Sequence, residues 1–379
     1  MTADAPRDAH GTHGTHDTNA AQGACDRCLA RSWLLVRTAG HLDQVRRRID
    51  LVLALSDGQL IDAIGGRQRG VLRRELDQLE LDEIRAHAGA AGLEMLCRCH
   101  PSYPTRLAAL AGPPAVLYIA GGVERLLALL RADPVAIVGT RRPSGYGTEM
   151  AAALGRGLAR AGVTVLSGMA LGIDSAAHAG ALATGAPTVA VLPGSPDRPY
   201  PAGKRALHRR ILAAGAAVSE LGPGVAVRRW MFPARNRIIA GLSAATIVVE
   251  AGERSGALLT AGFARDLGRP IGAVPGRVTT AQAAGPNRLL AEGAYAVRGA
   301  QDVLDQLFGA GVREADDDDR PELAPELRVL LAAIAEGRDT PAALTRAGIA
   351  ADHGLAALAA LELAGYIRRG AGGRFSVVP

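Results

Sequence analysis

Arginines set beside glycines and aromatic rings carry the clearest chemistry in the sequence. Gly139-Thr140-Arg141-Arg142-Pro143-Ser144-Gly145-Tyr146-Gly147 joins a β-branched run to a helical one. Glycines there let backbone N–H groups approach an anion at a helix N-terminus, and Arg141 adds a planar fork of donors. The spacing matches neither the G-x-G-x-x-G fingerprint nor a Walker loop. A dinucleotide-binding fold also wants a carboxylate after its second strand. The corresponding run ends Ser167-Gly168-Met169-Ala170, which argues against NAD. Further on, Leu192-Pro193-Gly194-Ser195 leads to Tyr200-Pro201 and Lys204. Trp230-Met231-Phe232-Pro233-Ala234-Arg235-Asn236-Arg237 then brackets an asparagine with two arginines beside two rings. Cation plus ring suits a single nucleic-acid strand, through phosphate neutralisation and base stacking. The alternative puts Trp230 and Phe232 in a core and the arginines in salt bridges.

Asp174 and His178, four residues apart, share one helical face. Such a pair can do general-base chemistry, but no Ser or Cys is placed beside it as a nucleophile. A structural Asp–His hydrogen bond, or an acid near a helix start, is the simpler explanation. All four cysteines precede residue 100, as Cys25-Asp26-Arg27-Cys28 and Cys97-Arg98-Cys99-His100. Two tight pairs can supply four thiolates to a structural zinc, with His100 as a substitute ligand. The alternative is unrelated thiols. C-x-C is tighter than the common C-x2-C, and the long gap requires the intervening chain to fold the pairs together.

The elements that must position these residues alternate. Val135–Val138, Val163–Leu166, Val189–Leu192, Ala217–Ser219, Thr246–Val249 and Ile271–Val274 are short apolar runs separated by Ala/Leu-rich helical stretches. That pattern predicts a parallel sheet covered on both faces, an α/β Rossmann-like domain over 101–309. Loops after its strands are where such sheets gather ligands. Residues 1–24 read as a disordered tail carrying His10, His13 and His16. Residues 25–100 read as a small helical domain carrying the Cys pairs. The run Glu314-Ala315-Asp316-Asp317-Asp318-Asp319 marks an acidic linker, 310–324. Residues 325–379 read as helices followed by a hairpin across Gly370–Gly373, the winged-helix order.

Charge narrows the partner. Between Asp133 and Phe308 there are 19 Lys and Arg against 11 Asp and Glu, an excess suited to a polyanion. From Glu326 to Val378 the balance is 6 Arg against 5 acids, weak for a duplex-binding module. No apolar run is long enough to span a membrane, and the N-terminus lacks an export-signal pattern. The expected compartment is the cytoplasm, where thiols stay reduced.

The series VGTRRPSGYG, LSGMALGIDSAAHAGAL, VLPGSPDRPYP, FPARNRIIAGLS, VVEAGERSGALLTAGFA, AVPG and AGPNRLLAEGA resembles the DNA-processing protein A (DprA/Smf) family, nearly continuously from Tyr103 to Leu304. The segment from Glu326 to Val378 resembles that family's C-terminal winged helix, and the N-terminus, more loosely, its sterile-alpha-motif-like domain. The resemblance implies a non-enzymatic protein that binds single-stranded DNA, forms a homodimer and helps load the RecA recombinase during natural transformation. It implies DNA contact at Arg141, with Arg235, Asn236 and Arg237 as the RNR motif and Lys204 as a further basic residue. Gly139, Ser167, Gly168, Gly194, Ser255 and Gly256 match positions that shape the pocket. It implies no role for Asp174 or Glu250.

Two other functions compete. A phosphoribohydrolase-like enzyme on this fold would carry Pro-Gly-Gly-x-Gly-Thr-x-x-Glu; the nearest runs, Leu192-Pro193-Gly194 and Val274-Pro275-Gly276, lack the second Gly and the Glu. A duplex-binding regulator would act through the C-terminal segment, against its near-neutral charge.

Overall fold

Each apolar run alternates two inward faces, and this alternation sets the layers of the structure. The computed structural model describes residues 23–315, 323–346 and 351–378. The tail expected at 1–24 therefore lies almost wholly outside the described residues, as does the middle of the acidic linker, 316–322. A nine-stranded sheet runs β1 (Glu94–Cys97), β2 (Val116–Ala120), β3 (Val135–Val138), β4 (Val165–Ser167), β5 (Thr188–Val191), β6 (Ala216–Ser219), β7 (Ala245–Val248), β8 (Ile271–Ala273) and β9 (Tyr295–Ala296) in chain order. Its spatial order is β1-β2-β6-β5-β4-β3-β7-β8-β9. β3 to β9 pair parallel, while β1 with β2 and β2 with β6 pair antiparallel. All six expected runs are strands; Val135–Val138 coincides with β3, and the others are shifted by one or two residues at their ends.

Along β3, Val135 and Ile137 face one core while Ala136 and Val138 face the other. The first core is closed by Met150, Leu154 and Leu158 of the helix Gly145–Arg160 and by Ile173, Ala177 and Ala181 of the helix Ile173–Ala183. The second is closed by Ile238, Ile239 and Leu242 of the helix Met231–Leu242 and by Ala257 and Ala261 of the helix Gly256–Asp266. Fully burying each Leu or Ile contributes roughly 1.5–3 kcal/mol, so the strands and helices hold one another and the loops between them stay free to vary.

The N-terminal helices do not close a core by themselves. Leu34, Leu35, Leu60 and Ile61 pack with Leu221, Trp230 and Met231. Ala24, Cys28 and Leu29 pack with Val116, Ala190 and Ala217 of the sheet. The stretch expected to be helical to residue 100 ends instead in β1, an edge strand of the central sheet. The C-terminal described residues form the helices Pro325–Ala335, Pro341–Arg346 and Ala351–Leu363 and an antiparallel pair, β10 (Ile367–Arg369) with β11 (Phe375–Val377), around their own cluster of Leu330, Ile334, Leu344, Leu361 and Phe375. Among the described residues no helix is long and apolar enough to cross a membrane.

Candidate nucleic-acid interface

The chain enters the parallel sheet at β3, steps outward through β4, β5 and β6, then returns to the other side of β3 as β7. The strand order therefore reverses between β3 and β7. In open α/β sheets the crevice at the carboxyl ends of that pair is where ligands bind, because the loops diverge there. A cleft of about 570 Å³ lies at that position. Its walls are the loop after β3 (Gly139 to Arg142), the loop after β7 (Gly252 to Ser255), Ala170 and Asp174, and Phe232 to Asn236.

Its mouth is cationic and aromatic. Arg141, Arg142 and Arg254 are exposed. The Arg141 guanidinium sits 5.1 Å from the Phe232 ring centre, and Phe232 meets Tyr200 with ring centres 5.4 Å apart. This ladder leaves Arg141 free to donate to an anion while its flat face rests on a ring.

The helix that follows the loop after β3 is already capped by an anion of the protein's own. Ser144 is the N-cap residue, its Oγ accepting from Gly147 N–H at 3.0 Å. Its own N–H and hydroxyl donate to the Glu250 carboxylate at 2.9 and 2.6 Å. A carboxylate in that place complements the helix dipole. A Cβ on Gly147 would come within 2.3 Å of the Glu250 carboxylate, so glycine is required there for the close approach. Gly147 thus makes room for Glu250, and this helix N-terminus is already occupied by the protein's own carboxylate.

The structure sorts the residues expected at the site. Gly139, Arg141, Arg235, Asn236, Ser255 and Gly256 line the cleft; Ser167, Gly168, Gly194, Lys204 and Arg237 do not. Arg235 and Arg237 stand on the helix Met231–Leu242, not on a loop. Arg237 is 2 % exposed, and its Nη2 donates to both Glu220 oxygens at 2.6 Å. It is a buried ion pair beneath the site, with no guanidinium face presented to a ligand. Arg235 is buried as well, donating to the Gly168 carbonyl at 2.6 Å, the Val191 carbonyl at 3.0 Å and Asn236 Oδ1 at 3.0 Å. It ties the loop after β4 to β5. A Cβ on Gly168 would fall 2.0 Å from its Nη1, which explains that glycine. Asn236 donates on to the Gly256 carbonyl at 3.0 Å, and Ser255 Oγ accepts from Ala257 N–H to cap the next helix. Ser167 is buried, its hydroxyl donating to the Ile137 carbonyl. Gly194 packs under Val227. Lys204 is half-buried at the end of a short 3-10 turn following Tyr200 and Pro201.

The Asp174–His178 hydrogen bond is not formed. Asp174 is the second residue of its helix and accepts from Ala170 N–H at 3.3 Å. Burial raises its pKa, and the nearby Arg235 works against that rise. His178 instead bonds Thr188 Oγ1 at 2.8 Å, and that hydroxyl's single proton goes to the Val165 carbonyl, so Nδ1–H is the donor. Burial lowers the His178 pKa to about 3. A histidine depressed in the folded state stabilises above its unfolded value near 6.5, and that contribution is lost as pH falls toward 3. His178→Gln should therefore flatten the acid limb of the stability profile by about 1.4 kcal/mol per pH unit between pH 6 and 4, checked by urea titrations across pH. An unchanged slope would show that His178 already carries its proton when folded.

Of the two rings read as stacking candidates, Phe232 lines the cleft while Trp230 is core; Arg142, Arg254 and Tyr200 line or flank the cleft without having been singled out as contacts. Arg254 had one available signal, its position in the loop directly after a strand of the switch pair. Met169, with φ at +54°, turns the loop after β4 through a region non-glycine residues seldom occupy, a feature that gathers at ligand sites.

Residues 94–308 match the family described as DNA recombination-mediator protein A. The DNA processing protein DprA of Mycobacterium tuberculosis is 40% identical over 279 residues; the match covers 74% of this chain and 66% of that relative, just under two thirds of its length. The X-ray structure of DprA from Streptococcus pneumoniae superposes with a TM-score of 0.62 at 31% identity, covering 75% of this chain and 99% of that one. A Helicobacter pylori DprA structure, which describes that protein's single-stranded DNA binding mode, gives a TM-score of 0.51 at 31% identity over 57% of this chain and 95% of that one. The family match spans the whole nine-stranded sheet and every wall of the cleft, and this chain belongs to the DNA recombination-mediator protein A family.

Proposed function

We propose that this chain binds single-stranded DNA in the cleft between β3 and β7 and acts as a recombination mediator, without catalysing a covalent step. The observation that carries this is the cluster of exposed Arg141, Arg142 and Arg254 around the Phe232–Tyr200 pair. Arginines supply phosphate contacts and rings supply stacking faces, and neither reads base identity. Lys204 extends the basic rim on the Tyr200 side. Arg235, Asn236 and Arg237 hold the walls in register, and the small residues Gly139, Ser167, Gly168, Gly194, Ser255 and Gly256 shape the loops. Family membership and the binding mode described for the Helicobacter pylori relative support the same reading.

On this reading the bound strand is handed to the RecA recombinase, and the working form is a cytoplasmic homodimer. The N-terminal helices are the family's variable domain, and the C-terminal helices with β10 and β11 are its winged helix, serving protein contacts more than duplex DNA. Fluorescence anisotropy with single-stranded and blunt duplex oligonucleotides of equal length tests the central claim. Tighter binding of the single strand is expected, with a log–log salt slope of about −2 to −3 for three or four phosphate contacts. Equal affinity for blunt duplex at moderate salt would overturn it.

A further inference from the structure

Cys25, Cys28, Cys97 and Cys99 have their four sulfur atoms within 4.8 Å of one another, although the two pairs are some seventy residues apart. Each pair is brought there by its own backbone. Cys25 is the N-cap of the helix Asp26–Arg37, and its carbonyl accepts from the N–H groups of Cys28 and Leu29, both at 3.0 Å. The first helical turn therefore wraps both thiols to one side. Cys97 ends β1. His100 N–H then donates to the Cys97 carbonyl at 2.9 Å, closing a turn that carries Cys99 back toward the helix. β1 and the helix meet over the Cys28, Cys97 and Val116 core.

We propose that these four cysteines form a structural site for a thiophilic divalent ion, zinc in the cell. The Sγ atoms of Cys28 and Cys99 are 3.6 Å apart, and the edge of a tetrahedron with zinc–sulfur bonds of 2.3 Å is about 3.8 Å. All four are free thiols. Four protein ligands leave no open position for water, the mark of a structural site. Cys28 and Cys97 are buried beneath it while Cys99 faces solvent, so the ion would seal the outer edge of a hydrophobic seam. Arg27 Nη2 donates to Cys99 Sγ at 3.3 Å, supplying positive charge beside a centre that four thiolates make anionic. His100 is engaged elsewhere, its Nδ1 accepting from Ser102 N–H at 3.1 Å, and it is not one of the grouped ligands. The ion would tie the first helix directly to the edge strand of the central sheet.

The test uses the full chain with His10, His13 and His16 replaced by Gln, so that tail histidines retain no stray metal. After purification under reducing, zinc-replete conditions, elemental analysis should find about one zinc per chain, released when a mercurial titrates the thiols. Cobalt(II) loading should give the intense thiolate charge-transfer and visible bands of tetrahedral geometry. Cys99→Ser, at the exposed ligand, should leave the chain folded and weaken zinc retention against a chelator by at least about tenfold. His100→Ala should retain zinc as the parent does. Zinc below about a tenth of an equivalent, together with no tetrahedral cobalt spectrum, would overturn the site. Intact mass showing disulfides in place of free thiols in the freshly reduced protein would also overturn it.

Discussion

Arg237→Ala should cost about 3–5 kcal/mol of stability, because it leaves the Glu220 carboxylate buried without its partner. That is a large share of what a domain of this kind commands. Urea unfolding followed by the fluorescence of the buried Trp230 reads the loss directly. Replacing both partners, as Arg237→Met with Glu220→Leu, should recover most of it, since removing a buried pair together leaves no orphaned charge. The DNA affinity of the folded fraction should change little, because the guanidinium faces the interior. A stable Arg237→Ala protein that has lost DNA binding would move Arg237 from support to contact.

Arg141→Ala should do the opposite. The side chain is exposed and rests on Phe232, so stability should stay near the parent's. Single-stranded DNA affinity should fall by roughly 1.5–3 kcal/mol, between about one and two decades, as one charge-assisted contact disappears. The salt slope should shrink by about 0.7, the value of one single-strand phosphate. Arg369→Ala on β10, exposed and not among the residues lining the cleft, serves as the control and should leave affinity unchanged. If the folded Arg141 variant binds like the parent, the cleft is misplaced. If the Arg369 variant loses binding, the C-terminal helices and hairpin become the leading DNA surface.

These two arginines show what could be read in the sequence and what could not. Strands β3 to β8 were legible because a strand buried on both faces must be a continuous apolar run. β1 was not, since Glu94–Cys97 begins with an acid, closes a helical stretch and serves only as an edge. β9, with two residues, is too short for any periodicity to show. The cleft's position followed from topology, and Arg141 from its place after the first parallel strand. Composition cannot tell an arginine facing a ligand from one facing a buried carboxylate, and Glu220 is 17 residues upstream of Arg237. Helix phase held a partial clue. Two residues apart on a helix point about 200° apart, so Arg235 and Arg237 could not both face the same groove. The cysteine pairs were legible as pairs, while their meeting depended on β1 lying beside the first helix.

Glu250 has a bearing on what the cleft can ignore. The helix N-terminus is the anchor by which open α/β proteins grip the phosphates of a lone nucleotide, and here a carboxylate already takes the Ser144 amide proton. A free nucleoside triphosphate would find that anchor both engaged and repulsive. What remains is a rim of individually modest contacts, which rewards a polymer spanning several of them at once. On the proposed function, the grip should grow with the length of the strand offered.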